Sequence, residues 1–165
     1  MRNVNISTPI QIGRVASLHL HPKISGEPLT TVSQIEVEAE KGIVGEPRYF
    51  GRKSRSGGPS KRQLSLISRE QIAEHAATLG LEKISPGAVR ANIETTGIDL
   101  ISLIGCEVQI GEATVLFYEA RMPCGQMDRI CVGLRELMEN GKQGVMAQVV
   151  KSGKISVRDK IQPIS

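Results

Sequence analysis

The sequence predicts a β-rich α+β domain, a barrel or sandwich of short strands with added helices. Two observations lead there. Seven short segments are alternating or continuously apolar, with turn residues between them, and only two stretches carry helical spacing. Ile35-Glu36-Val37-Glu38-Ala39-Glu40 alternates strictly, as a strand with one wet face should. Val15–Leu20, Gln63–Ile67, Glu107–Ile110, Ala113–Glu119, Gly144–Val150 and Lys154–Ile161 are the other strand candidates. Gly111-Glu112 closes a hairpin between two of them, and Lys151-Ser152-Gly153-Lys154 reads as a second tight connection. A helix should start at Ser68, an N-cap with Gln71 three residues on, present Ile72, Ala76 and Leu79 on one face, and stop at Gly80. A shorter one spans Leu134–Glu139, ended by Asn140-Gly141.

Length and composition bound the function. At 165 residues the chain fits one domain, expected over 1–165, and buries enough surface to do without disulfide staples. Its three cysteines, an odd number, point to free thiols in a reducing compartment, and the expected location is the cytoplasm. No apolar run approaches the ~20 residues of a membrane span. Met1 to Ile10 has neither a basic head nor an apolar stretch, so no signal peptide is expected. With two Tyr, two Phe and no Trp, stacking platforms for single-stranded nucleic acid are nearly absent.

Charge is uneven. The net charge is +4, yet Arg48, Arg52, Lys53, Arg55, Lys61 and Arg62 put +6 into one acid-free stretch, leaving −2 for the rest. Gly51, Gly57, Gly58 and Pro59 mark that stretch as a mobile loop. Clustered guanidiniums grip phosphate in bidentate fashion, so this loop is a candidate anion site as well as an ordinary solvated loop. It matches neither a Walker loop nor G-x-G-x-x-G.

Cys124 is the most informative residue. In Arg121-Met122-Pro123-Cys124-Gly125 it follows an apolar strand, and Pro123 ends any strand ladder there. Loops at strand exits commonly carry function, and Arg121 and Arg129 lie close enough in sequence to favour the thiolate. A free cysteine also serves as a small buried apolar residue, so both readings stay open at this point. Cys106 and Cys131 fit the buried role better, and no C-x-x-C pair is present. His19 and His21 share one strand face, without a third metal ligand, and are read as an outward polar face.

Gly42-Ile43-Val44-Gly45-Glu46, Arg62-Gln63-Leu64-Ser65-Leu66-Ile67, Pro86 to Ile93, Thr95 to Leu100, Gly105 to Gly111 and Arg121-Met122-Pro123-Cys124 follow one another in order. Together, over about 42–161, they resemble the MOSC domain, the family named after the C-terminal domain of molybdenum cofactor sulfurase. Glu46 stands where the family's Asp is usual, Arg48 where many relatives have His, Cys106 where an acid follows Gly105, and Ala91 where Glu or Pro precedes Asn. The resemblance implies a pyruvate-kinase-like β-barrel with a few peripheral helices. It implies that Cys124 is the functional cysteine, either a molybdenum ligand or a persulfide carrier. It also implies molybdenum cofactor (molybdopterin) contacts at Arg62, Arg90 and Asn92, with Thr95 and Thr96 as neighbours.

The activity so implied is sulfur transfer or a molybdenum-cofactor-dependent reaction. The partner is a PLP-dependent cysteine desulfurase, which would hold the pyridoxal phosphate, or a reductase. The alternatives are a molybdenum-cofactor-dependent reductase of N-hydroxylated compounds and a non-enzymatic polyanion-binding barrel.

Overall fold

The computed structural model describes residues 11–164. Met1 to Ile10, read above as carrying no leader, lie outside the described residues. The strands are β1 (Gly13–Leu20), β2 (Thr30–Val32), β3 (Gln34–Glu38), β4 (Gly42–Ile43), β5 (Leu64–Ser68), β6 (Ile93–Thr96), β7 (Glu107–Ile110), β8 (Ala113–Ala120), β9 (Val145–Lys151), β10 (Gly153–Ser156) and β11 (Lys160–Pro163). The helices are α1 (Arg69–Thr78) and α2 (Leu134–Leu137), with 3₁₀ turns at Ile101–Leu103 and Gly125–Arg129.

Seven strands close into a barrel in the order β11-β7-β8-β9-β5-β6-β1, with β1 pairing back onto β11 and β2 lying on the flank of β1. Closure removes the exposed edges that an open sheet would leave. Neighbours are antiparallel except β5 and β6, which run parallel because α1 is the crossover between them. A small second sheet, β10-β3-β4, packs alongside.

The aliphatic residues make two cores. Leu18, Leu66, Ile93, Ile110, Val115, Phe117 and Val145 fill the barrel. Ile67, Ile72, Ala76, Met127, Leu134 and Met138 form a second cluster between α1, α2 and the outside of β5. Strand β5 is therefore buried on both faces, which explains why Leu64 to Ile67 shows no alternation. Helix α1 starts as its sequence requires: Ser68 Oγ accepts from Gln71 N at 3.0 Å. The Gln71 side chain turns instead to Glu74 at 3.4 Å, so only half of the capping box forms.

Several sequence expectations change. Lys154–Ile161 is two strands rather than one, because Val157 to Asp159 form a turn in which Ser156 N donates to Asp159 Oδ2 at 2.7 Å. The tight Lys151–Lys154 connection is present, and it carries the chain from the barrel into the small sheet. Strands β2, β4 and β6 were not expected. In β6 the buried Glu94 hides the apolar pattern, its charge met by Arg69 Nε at 3.1 Å.

His19 does not face outward. It is fully buried, with Nε2 at 2.8 Å from Ser17 Oγ and Nδ1 at 3.3 Å from Thr31 Oγ1. Burial lowers its proton affinity below the ordinary 6.5, against the opposing pull of Glu94 and with the help of Arg69. Below about pH 6.5 the unfolded chain therefore binds a proton at His19 that the folded chain resists, and stability falls as pH falls. Thermal melts between pH 7 and 5 should show that decline in the parent and a shallower one in His19→Gln. Equal slopes would contradict it.

Candidate functional site

The exit of β8, the entry of β9 and the residues that lead into β5 and β6 line two adjoining spaces. Strand β8 ends at Ala120, paired with Val145, and Arg121 N continues the pairing by donating to Gly144 O at 2.9 Å. Beyond it the chain reaches Cys124 in extended conformation, the residue that opens the 3₁₀ turn. Met127, sunk into the second core, anchors that turn, and its N–H donates to Cys124 O at 3.1 Å. The backbone is held while the thiol-bearing residue stays exposed.

Cys124 opens on a cleft of about 540 Å³ whose wall includes Lys61, Arg62, Tyr118, Arg121, Met122 and Gln143. Burial, then Glu119, raises the Tyr118 phenol above its ordinary range, and Arg62 opposes the change. Arg62, Arg121 and Met146 also wall a smaller pocket that contains His21, Glu46, Tyr49 and Asn92. These three residues are thus the partition between two adjoining spaces.

The cations are placed differently from one another. Arg121 is half-buried; Nη2 donates to Val89 O at 2.9 Å, while the buried Nη1 has no partner. Burial pulls its guanidinium down to about 10, with the Cys124 thiolate as the leading opposing influence. It remains charged at neutral pH. Arg90 adopts a left-handed backbone, φ 66°, costly for a side chain of this size. Three bonds hold it: its N–H to Gly87 O, its carbonyl accepting from His21 Nε2, and Nη1 to Glu27 O at 2.8 Å. Burial and then Arg48 lower its proton affinity, and the Cys124 thiolate raises it. Arg62 and Arg48 each lie 5.5 Å from the Tyr49 ring, which meets His21 edge-on.

Beneath the pocket lies a buried polar knot. Glu46, 1% exposed, accepts from His21 N and faces His21 Nδ1, each at 3.1 Å. Asn92 Nδ2 donates to Glu46 Oε2 at 2.9 Å and to His19 O at 3.0 Å, and Asn92 Oδ1 accepts from Ser65 N at 3.1 Å. Both ends of the Asn92 amide are thereby engaged by protein. Gln63 works similarly on the other side, tying Ser60 O to Val149 N.

Of the residues singled out from sequence, Cys124, Arg62 and Arg121 share the cleft, and Arg90 lies within electrostatic reach of Cys124. Asn92 lines the smaller pocket but is occupied. Thr95 and Thr96 sit further along β6 and line neither space; Thr95 is fully buried with its hydroxyl unpartnered. The basic loop folds back on itself through a Lys53–Pro59 bridge and a Ser60 N to Arg52 O bond of 2.9 Å. Glu46, Tyr49 and Gln143 had no reading as site residues, and His21, read with His19 as an outward polar face, is instead largely buried against Glu46 and Arg90 O. Glu46 entered only as a departure from a motif, and Gln143 followed a helix stop with no local signal.

Among the described residues no group of three or more His, Cys, Asp or Glu is placed to hold a metal ion. Nor is any helix there long and apolar enough to cross a membrane.

The fold has known counterparts. The chain is similar to the YuaD protein of Bacillus subtilis, at 19% identity and a TM-score of 0.76, over 92% of this chain and 95% of that one. It is also similar to YiiM of Escherichia coli, at 20% identity and a TM-score of 0.66, over 95% and 71% of the two chains. YiiM of Geobacillus stearothermophilus gives 16% identity and a TM-score of 0.70, over 93% and 75%. At such identities the likeness speaks for the fold alone. No curated relative matches the chain. Residues 52–162 match the MOSC domain, well over half of the 165 residues, and the chain therefore belongs to the MOSC domain family.

Proposed function

We propose that this protein binds a phosphate-bearing molybdenum–pterin cofactor in the cleft beside Cys124. The observation that carries the reading is the exposed Cys124 on the same cleft as a buried, half-satisfied guanidinium, Arg121. An unpaired buried donor of that charge suits an anionic group, and Arg62 stands next to it. The residues fit the group. Cys124 would supply a thiolate to the metal, and Arg121 and Arg62, with Arg90 nearby, would neutralise the phosphate. When bound, the cofactor supplies two-electron redox chemistry at its metal. The chain's own part is to ligate, to hold the anion and to keep the cleft positive. N-hydroxylated bases are the substrates to offer, together with an external electron donor.

A second reading is favoured by the exposure of Cys124 against the half-buried Cys106 and Cys131. As a sulfur carrier, the Cys124 thiolate attacks the terminal sulfur of a desulfurase persulfide. A Cys124 S–S bond forms, the donor's S–S bond breaks, and the donor leaves as thiolate with no net oxidation.

One comparison tests both. Protein expressed in a host that makes molybdenum cofactor should purify with near-stoichiometric molybdenum and pterin, and Cys124→Ser should lose the metal. Persulfide transfer to Cys124 without bound metal would favour the carrier. If parent and variant both lack metal and neither accepts persulfide, both readings fail.

A further inference from the structure

We infer that Gln143 and Arg121 form an acceptor–donor pair that reads a carboxamide-type group on the ligand held beside Cys124. The inference rests on the reading of this cleft as a ligand site, though not on the ligand's identity. Gln143 is 1% exposed and lines the cleft, yet its Oε1 has no hydrogen-bond partner among the described residues. Arg121 Nη1, on the same wall, is another buried polar atom without one among the described residues. A buried acceptor and a buried cationic donor, each unmatched, cost stability unless something meets them.

Gln143 is also held from both sides. Before it, Lys142 O accepts from the buried His75 Nε2 at 2.7 Å. After it, Gly144 O accepts from Arg121 N, and Gly144 has φ +85° against the Leu66 carbonyl, where a β-carbon would collide. The β8–β9 register, Ala120 opposite Val145, brings Arg121 and the Gln143–Gly144 segment side by side. The pair therefore arrives preorganised. Its complement is a planar group with an N–H for Gln143 Oε1 and an adjacent oxygen or nitrogen acceptor for Arg121 Nη1. Such an edge belongs to carboxamides and neutral N-hydroxyamidines, and equally to the lactam edge of a pterin; a simple amidine, protonated at neutral pH, offers donors only.

The test uses the full chain with Cys106 and Cys131 replaced by Ala, so that Cys124 alone reports. Benzamide should protect Cys124 from N-ethylmaleimide, followed by intact mass, and N,N-dimethylbenzamide should protect at least ~10-fold more weakly. Gln143→Leu should weaken benzamide protection by ~10-fold or more and leave the dimethyl probe unaffected; Gln143→Glu, which keeps an acceptor, should stay closer to the parent. Pterin content of Gln143→Leu from the cofactor-competent host then separates the sources. Loss of pterin assigns the pair to the cofactor, and retained pterin with lost protection assigns it to substrate.

Equal protection by both probes, or benzamide protection indifferent to Gln143→Leu, overturns the inference. Should Gln143→Leu fail to fold, the two probes on the parent and on Gln143→Glu still decide. If Cys124 takes up neither metal nor persulfide while protection tracks Gln143, only the cofactor and carrier readings fall.

Discussion

Arg121→Met should leave the free protein as stable as the parent, or more stable, while weakening anion binding in the cleft by roughly 10–100-fold. Both halves follow from one side chain. Burial pulls the guanidinium below its ordinary range to about 10, a cost against the charged form. Nη2 recovers something from Val89 O, and Nη1 finds no partner among the described residues. Methionine fills a similar volume without the charge, and replacing poorly compensated buried charge by apolar atoms is often neutral or stabilising. A charge-assisted bond to a bound anion would disappear with the guanidinium. Thermal melts paired with calorimetric titration of inorganic phosphate check the pair of effects, with Arg121→Lys intermediate in affinity. A large drop in melting temperature with phosphate binding intact would make Arg121 a strut for the Val89 loop instead.

Asn92→Ala should lower stability by about 3 kcal/mol, or roughly 6–12 °C in melting temperature for a chain of this size. The amide joins Ser65, His19 O and Glu46, and its removal strands the Glu46 carboxylate, 1% exposed, with fewer donors. Leaving buried polar groups unmatched is among the costliest single changes. The loss should appear in protein free of any ligand, because these bonds are internal. A variant that melts like the parent but fails to hold ligand would instead return Asn92 to direct contact, the role that the family resemblance implied.

The two variants also show how differently site residues could be read from the chain. Cys124 was legible because Pro123 ends a ladder beside it and Gly125 frees the turn, all within three positions. Arg62 and Arg90 were legible as charge and motif, though nothing local foretold the left-handed backbone of Arg90. The Glu46–His21 pair joins residues 25 apart in sequence, and Asn92 meets Glu46 across 46. Gln143 stands between a helix stop and a strand start, in a stretch whose local pattern describes only a turn.

From the residues alone came the strand segments, the Ser68 cap, the Gly111-Glu112 hairpin and a cysteine at a strand exit, whose exposure only the structure decided. Each depends on steric and hydrogen-bonding preferences that act over a few neighbouring positions. The tertiary structure alone decided the closure of β1 onto β11, the burial of His19 and Glu94, and the meeting of Arg121 with Gln143 beside Cys124. Those outcomes turn on which distant strands pair and in what register. Pairing is set by the combined burial of an aliphatic core, so no single segment carries the information that places it.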